Sequence, residues 1–181
     1  MKQDIRLEIV IPEGVTVELG EEVVITGPKG EVKRPLHYPT INITSGDGKL
    51  VLEAKKGTKR EKRMMGTYQA HIKNMLTGVT EGFSYELKIC SGHFPMNVSV
   101  AGGEVVIKNF FGENFARKTP VREGTTVKVE GEKIIIDSVD KEQAGQMAAD
   151  IEKLTTIKNR DIRIFQDGCY IIKKGNKVIT G

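Results

Sequence analysis

The sequence repeats itself at a spacing of about 83 residues, and this repeat constrains the fold more than any other feature. Three pairs share that offset: Pro12 with Pro95, Val15 with Val98, and Val17 with Val100. A second set, at an offset of 84, pairs Lys49, Leu50 and Leu52 with Lys133, Ile134 and Ile136. Each half of the 181 residues is long enough to bury a core of its own. The repeat therefore predicts two similar small domains in tandem.

The first half contains strand-like sequence followed by a helical pattern. Short β-prone segments separated by Gly, Pro and charged turns extend from residue 6 to residue 53. Apolar residues then recur at steps of four, four, three and four, at Met64, Tyr68, Ile72, Met75 and Val79. This spacing predicts an amphipathic helix. Thr58 and Glu61, three residues apart, predict a capping box at its start.

The second half repeats this order. Strand-like segments extend from residue 85 to residue 137. A helix is predicted beyond them, with Asp140 near its start and apolar positions at Ala144, Met147, Ala148, Ile151 and Leu154. The predicted fold is α+β, with two duplicated domains, each an antiparallel β-sheet packed with one α-helix. We expect the domains to span residues 1–81 and 82–181, the second ending in a basic extension without counterpart in the first.

The net charge of +4 is distributed unevenly. Residues 55–63 contain six basic side chains and one acidic, and residues 158–181 contain six basic and two acidic. Residues 1–54 and 64–157 are both mildly acidic. Two concentrated basic segments on an otherwise acidic chain indicate localised contact with a polyanion.

The composition bears on the class and location of the protein. A hydrophobic fraction of 38% with 29% charged residues is typical of a folded globular chain. No apolar run approaches the roughly 20 residues of a membrane span, and the amino terminus lacks an apolar signal core. We therefore expect a cytoplasmic protein. Cys90 and Cys169 form no CxxC pair and are expected to be buried free thiols rather than a disulfide.

Candidate catalytic residues are few. His37, His71 and His93 are scattered, and neither an HExxH nor a GxSxG motif occurs. Asp140 and Glu142 lie where a helix begins, which favours capping over acid or base chemistry. We predict no enzyme, no cofactor and no metal site. We also expect no concave pocket with convergent titratable groups, and His71 or His93 beside a carboxylate in such a pocket would reopen the question.

Two further motifs resemble nucleotide or base binding only superficially. Residues 27–30, Gly-Pro-Lys-Gly, lack the frame of a phosphate loop and predict a tight turn with Lys29 available to an anion. Phe110, Phe111 and Phe115 do not match the aromatic signature of RNA-recognition motifs. They are expected to be core or turn residues.

The two basic segments differ in what they predict. Residues 158–163 combine basic and amide side chains, and Lys173, Lys174 and Lys177 adjoin the strand-like segment 169–172. Such side chains are the usual contacts to phosphate and ribose, and an extra strand or loop would hold them in place. For residues 55–63 the sequence leaves two interpretations open, solvated charges or RNA contact.

Several motifs resemble a known family over essentially the whole chain. They are Ile11-Pro12-Glu13-Gly14-Val15, Gly27-Pro28-Lys29-Gly30-Glu31, Asn74-Met75-Leu76-Thr77-Gly78-Val79 with Gly82-Phe83, and the tail from Thr156 to Phe165 with Asp167-Gly168-Cys169-Tyr170. The chain resembles the universal ribosomal large-subunit protein six family. Its tail is similar to the archaeal and eukaryotic branch and departs from the bacterial one.

The resemblance implies a structural protein of the cytoplasmic large ribosomal subunit, without chemistry of its own. Its implied partners are large-subunit ribosomal RNA, neighbouring ribosomal proteins and, indirectly, the translation-factor GTPases that engage nearby. The basic tail implies RNA contacts at Lys158, Asn159, Arg160, Arg163, Lys173 and Lys174, with Lys108, Arg117 and Lys118 as neighbours in the same domain. A free-standing RNA-binding translation factor and an enzyme of unknown substrate remain as alternatives.

Overall fold

The computed structural model describes residues 3–46, 48–175 and 177–179 and divides the chain into two compact units. The amino-terminal unit comprises residues 1–82 and the carboxy-terminal unit residues 83–181. No helix of the described ranges is long and apolar enough to cross a membrane.

In its described residues, the amino-terminal unit contains two antiparallel sheets and one helix. Its elements are β1 (Gln3–Val10), β2 (Thr16–Leu19), β3 (Val23–Gly27), β4 (Gly30–Arg34), β5 (Asn42–Gly46), β6 (Lys49–Gly57) and α1 (Lys59–Thr80). One sheet has the order β1-β6-β5 and the other the order β2-β3-β4. The helix packs against strands of both sheets, so the core lies where the three elements meet.

The core of this unit follows the periodicity of its sequence. On β6, Leu50, Leu52 and Ala54 are buried and alternate with more exposed residues, as expected for a strand with one face on the core. The helix buries Met65, Tyr68, Ile72, Met75, Leu76, Gly78 and Val79. The predicted helical face is confirmed except at its first position, where Met65 lies in the core and Met64 is half-buried. The steps from Met65 to Tyr68 and Ile72 follow the 3.6-residue period.

The start of α1 is capped as predicted. The N–H of Thr58 donates to Oε2 of Glu61 at 2.8 Å, and the N–H of Arg60 donates to the hydroxyl of Thr58 at 3.3 Å. Both halves of a capping box are present. Such a cap stabilises a helix by about 1 kcal/mol.

The turn between β3 and β4 packs against the end of α1. A Cβ at Gly27 would lie 2.8 Å from Cγ2 of Val79, so only glycine fits there. The N–H of Lys29 donates to the carbonyl of Val79 at 3.0 Å, and its ammonium donates to the carbonyl of Glu81. These donors satisfy carbonyls at the helix end. The tight turn is confirmed. Lys29 is exposed in it, and the expectation that its ammonium is available to an anion stays a prediction.

The carboxy-terminal unit repeats this architecture and extends it. Its elements are β7 (Phe83–Cys90), β8 (Asn97–Ala101), β9 (Glu104–Lys108), a 3-10 turn (Phe110–Gly112), β10 (Arg117–Pro120), β11 (Thr125–Glu130), β12 (Lys133–Ser138), α2 (Lys141–Leu154), β13 (Gly168–Lys174) and β14 (Lys177–Val178). The sheets have the orders β11-β12-β7-β13-β14 and β10-β9-β8.

The two units share a strand order, which confirms the predicted duplicated α+β fold. The order β11-β12-β7 matches β5-β6-β1, and β10-β9-β8 matches β4-β3-β2. Asp140 caps α2, since its carboxylate accepts the N–H of Glu142 at 2.9 Å. The buried side chains of α2 pack against the larger sheet, around Leu87, Ile134 and Ile136.

The basic extension adds two strands to the larger sheet. Strand β13 pairs with β7 on the side opposite β12, whereas the equivalent strand β1 lies at the edge of its sheet in the described residues. The predicted extra strand is therefore present. Strand β10 was not predicted, because its sequence Arg-Lys-Thr-Pro has no apolar alternation.

Candidate nucleic-acid interface

Hydrogen bonds between the end of α2 and β13 fix both ends of the loop that carries four of the nine predicted RNA-contacting residues. The hydroxyl of Thr155, just after α2, accepts the N–H of Cys169 at 2.9 Å. A carboxylate oxygen of Glu152 accepts the N–H of Ile171 at 3.3 Å. The loop 156–167 therefore begins and ends at ordered positions, although it is itself irregular apart from turns.

Asp167 joins this loop to the segment that follows β7. Its side chain is buried, with the residue only 3% exposed, and its oxygens accept the N–H groups of Gly92 and His93 at 3.0 Å each. Nδ1 of His93 lies 3.0 Å from Oδ1 of Asp167. Burial alone raises the pKa of Asp167, but the hydrogen bonds from the side chain of His93 and from the N–H groups of His93, Gly92 and Phe94 outweigh it. The pKa of this carboxyl is therefore below its ordinary value.

An aromatic cluster holds Arg160. Its guanidinium carbon lies 4.8 Å from the ring centre of Phe111 and 5.0 Å from that of Phe165. The ring of His93 packs against that of Phe165 in a tilted arrangement, with the ring centres 4.9 Å apart. Phe110 is buried and contacts Phe111 edge to face, as expected for core and turn residues. Phe115 lies outside the core, since it is 72% exposed.

Five of the nine predicted RNA-contacting residues have side chains without a carboxylate partner in the described parts of the chain. They are Lys108, Lys158, Asn159, Arg160 and Lys174. Lys108 ends β9, Lys174 ends β13, and the other three lie in the loop after α2. Lys108, Lys158, Arg160 and Lys174 are exposed cations, and such groups are available to an external phosphate.

Three further predicted residues form ion pairs on the surface. Arg163 lies 2.7 Å from Asp161, Lys173 lies 2.8 Å from Glu86, and Lys118 lies 3.4 Å from Glu104. The pair of Lys173 and Glu86 is half-buried, whereas the other two are more exposed, and exposed pairs contribute little to stability. The intramolecular carboxylate does, however, compete with an external phosphate for each cation.

The guanidinium of Arg117 is engaged by other groups of the protein. Its guanidinium makes two hydrogen bonds to the carboxylate of Glu113, at 2.6 and 2.8 Å, and donates to the carbonyl of Leu154 at 2.7 Å. The same group lies 4.3 Å from the ring centre of Phe110. These contacts connect β10 to the end of α2 and leave few donors for a ligand.

A cavity of about 850 Å³ lies beside the loop 156–167. Its lining includes Cys90, His93, Glu152, Gln166 and Asp167. The expectation that no pocket brings titratable groups together is therefore wrong. Sequence analysis missed the pair because His93 and Asp167 are 74 residues apart, and neither belongs to a motif for a catalytic site.

The pair does not by itself make an active site. The carboxylate of Asp167 orients the imidazole, as in many catalytic pairs, but it also accepts three backbone N–H groups that shape the loop after β7. A base must in addition reach a nucleophile. Within the described residues no hydroxyl or thiol is hydrogen-bonded to His93, and no group of His, Cys, Asp and Glu could hold a metal ion. The contacts that the structure shows for this pair shape the loop after β7 and orient the imidazole of His93.

Comparisons with known proteins show the family of the chain. The model of the family described as "Ribosomal protein L6" matches residues 11–82 and 94–168, one stretch in each unit. The chain is 48% identical over 176 residues to the "Large ribosomal subunit protein uL6" of Methanococcus vannielii, covering 97% of each chain. It is 46% identical over 167 residues to that of Natronomonas pharaonis, covering 92% of this chain and 94% of the relative. It is 47% identical over 171 residues to that of Methanobrevibacter smithii, covering 94% and 96%.

The predicted resemblance, including its archaeal character, is thereby confirmed. Both repeats fall within the family match, and the archaeal relatives align over nearly the whole chain. This chain belongs to the ribosomal protein L6 family.

Proposed function

We propose that the chain is a structural constituent of the large ribosomal subunit that binds large-subunit rRNA through its carboxy-terminal unit. In this proposal it acts in the cytoplasm, among neighbouring ribosomal proteins, and performs no chemistry. By its position it supports the region where translation-factor GTPases engage. The names of its relatives, large ribosomal subunit proteins, favour the assignment to that subunit.

The observation that carries the RNA-binding proposal is the form of the basic extension. Strand β13 joins the larger sheet of the carboxy-terminal unit, and the loop before it is fixed at both ends. Lys158, Arg160 and Lys174 are exposed on this extension and have no carboxylate partner in the described residues. Cationic side chains that the fold already positions are suited to bind the phosphates of structured RNA, because binding requires little further ordering of side chains or loops.

The structural environments rank the predicted contacts. Lys158, Arg160 and Lys174 come first, with Asn159 beside them in the loop and Lys108 at the end of β9. Arg163, Lys173 and Lys118 come next, because each must leave or share an acidic partner. Arg117 comes last, since Glu113, Leu154 and Phe110 already engage its guanidinium.

A triple substitution tests the site. Lys158→Gln, Arg160→Gln and Lys174→Gln together are expected to flatten the dependence of log affinity on log salt by about two to three units, given roughly one released counterion per lost phosphate contact. The measurement is a salt series of binding to protein-free large-subunit rRNA of Methanococcus vannielii. Lys88→Gln, Lys128→Gln and Lys153→Gln form the control, since all three are exposed, belong to the same unit and change the net charge equally. Equal slopes for the two variants would rule out the extension as the RNA anchor.

Sedimentation separates the proposed constituent from a free-standing RNA-binding translation factor. A ribosomal constituent is expected at one copy per large subunit after washing in moderate salt. A free factor would remain largely in the soluble fraction.

A further inference from the structure

The amino-terminal unit has its own concentration of positive charge, where β6 ends and α1 begins. We call this surface the amino-terminal cationic patch, and its members are Lys55, Lys56, Lys59, Arg60, Lys62 and Arg63. All six side chains are exposed. In the sequence they were equally consistent with solvated charges and with RNA contact, so the structural environment decides between the two.

A β-bulge places the first two lysines in solvent together. Buried and more exposed residues alternate along β6 as far as Ala54, but Lys55 and Lys56 are both exposed and Gly57 is buried again. The register with β1 shifts at this point, so that two residues of β6 stand opposite Asp4. The N–H of Lys56 donates to a carboxylate oxygen of Asp4 at 2.7 Å, and Lys56 has a left-handed backbone with φ of 53°. Lys56 therefore occupies a conformation that an L side chain rarely adopts.

The other four cations occupy the first turns of α1, where they are electrostatically unfavourable. The amino-terminal end of a helix is the positive end of its dipole, so cations there are repelled. Glu61 supplies the only acidic side chain among residues 55–63, and the capping box with Thr58 engages its carboxylate. Helix stability thus gives no reason for this concentration of positive charge.

The patch differs from three other basic side chains of the same unit, Arg6, Lys33 and Lys49, in lacking acidic partners. Arg6 pairs with Glu8 and Glu53, Lys33 pairs with Glu31, and Lys49 pairs with Glu8. Across the ranges that the structure describes, no patch side chain is paired with a carboxylate. Within these ranges, the guanidinium of Arg60 lies over the ring of Tyr38, and that of Arg63 donates to the carbonyl of Lys59.

We infer that the amino-terminal cationic patch is a second RNA-binding surface, which contacts the phosphate backbone independently of the carboxy-terminal extension. The inference rests on the proposed function only for the identity of the RNA as large-subunit rRNA. Six cations within nine residues match the dense, regular charge of a polynucleotide. Protein–protein interfaces, by contrast, are centred on apolar and aromatic anchors. No exposed large hydrophobic side chain of the described residues lies among residues 55–63.

The test uses the full chain and protein-free large-subunit rRNA of Methanococcus vannielii. In the patch variant, Lys59→Gln, Lys62→Gln and Arg63→Gln remove three exposed cations. Arg6→Gln, Lys33→Gln and Lys49→Gln make a matched control, because they remove the same charge from the same unit at paired positions. We expect the patch variant to flatten the salt dependence of log affinity by about two to three units relative to the control. Circular dichroism should show that both variants remain folded.

A photo-crosslinking side chain at position 62 provides a readout that does not depend on affinity. We expect it to crosslink to rRNA in assembled large subunits. A patch variant with the salt slope of the control, or crosslinks only to a ribosomal protein, would overturn the inference. If only the extension variant has the salt slope of its control, the carboxy-terminal site is rejected and the patch is unaffected. The two proposals can therefore fail separately.

Discussion

The carboxylate of Asp167 binds both the backbone N–H and the ring nitrogen of His93, at 3.0 Å each. This double contact ties the basic extension to the segment after β7, 74 residues earlier in the chain. The ring of His93 in turn packs against Phe165, and the rings of Phe165 and Phe111 both contact the guanidinium of Arg160. The position of Arg160, a proposed RNA-binding residue, thus depends on the buried carboxylate of Asp167, which is not itself proposed to contact RNA.

Replacing this carboxylate is expected to destabilise the carboxy-terminal unit. Asp167→Asn keeps the size of the side chain but turns one acceptor into a donor that faces backbone N–H groups. A buried group left with unsatisfied hydrogen bonds costs about 1 to 3 kcal/mol. Urea unfolding should show a loss of stability in this range, with Asp150→Asn as a comparison at a more exposed carboxylate. Unchanged stability would mean that the hydrogen bonds of Asp167 are not needed to hold the loop.

The same carboxyl makes stability depend on pH. Its pKa is lower in the folded protein than in the unfolded chain, so the unfolded state binds the proton more tightly. Its stabilising contribution is therefore fully present above the unfolded pKa, near 4, and is lost as the pH falls through the folded pKa. Unfolding free energies measured from pH 7 downward should converge for the native protein and Asp167→Asn. A difference that grows toward low pH would contradict this sign.

Gly27 is expected to be intolerant of any side chain. Gly27→Ala would place its Cβ 2.8 Å from Cγ2 and 2.9 Å from the carbonyl oxygen of Val79. Overpacking of this kind typically costs about 1 to 3 kcal/mol. Gly66→Ala is the matched control, because a Cβ there meets nothing within 4 Å and alanine favours a helix by about 1 kcal/mol over glycine. Thermal unfolding should show a lower midpoint for the first variant and an equal or higher one for the second.

The two cysteines should differ in reactivity and should not form a disulfide. Cys169 pairs with Ile89, and Cys90 with Gly168, so the thiols lie on opposite faces of the sheet. Burial raises the pKa of the Cys169 thiol to about 12, which leaves almost no reactive thiolate at neutral pH. A thiol reagent should label at most one cysteine in the folded protein and two in urea. Rapid labelling of both without denaturant would show that the strand β13 detaches.

Local signals explain which features could be predicted from sequence. The capping box of Thr58 and Glu61 spans four residues, and the helical faces follow from the spacing of apolar residues, so neither needs knowledge of distant contacts. Such spacing does not always identify the individual core residue. Met64 was expected in the core, but Met65 lies there, one position and about 100° further around the helix. Strand β10 could not be predicted, because it is specified by pairing with β9 rather than by its own pattern.

The candidate site was less predictable, because residues far away in the sequence determine which of its cations are already paired within the protein. Nothing near Arg117 in the sequence indicates its bond to the carbonyl of Leu154, and nothing near Lys173 indicates Glu86. The engagement of Lys29 by the end of α1 was missed for the same reason. A basic pattern identifies cations but does not reveal which of them an intramolecular carboxylate or carbonyl already holds.

The two units are expected to fold independently, since each has its own sheets, helix and core. Residues 1–82 and 83–181, expressed separately, are both expected to unfold cooperatively in urea. The carboxy-terminal unit should also need its extension, because Cys169 of β13 is fully buried in its core and β13 covers an edge of β7. A fragment of residues 83–157 is therefore expected to lack a cooperative transition. If that fragment folds as well as residues 83–181 do, the extension serves RNA binding alone. If neither unit unfolds cooperatively by itself, the chain is not two independent domains.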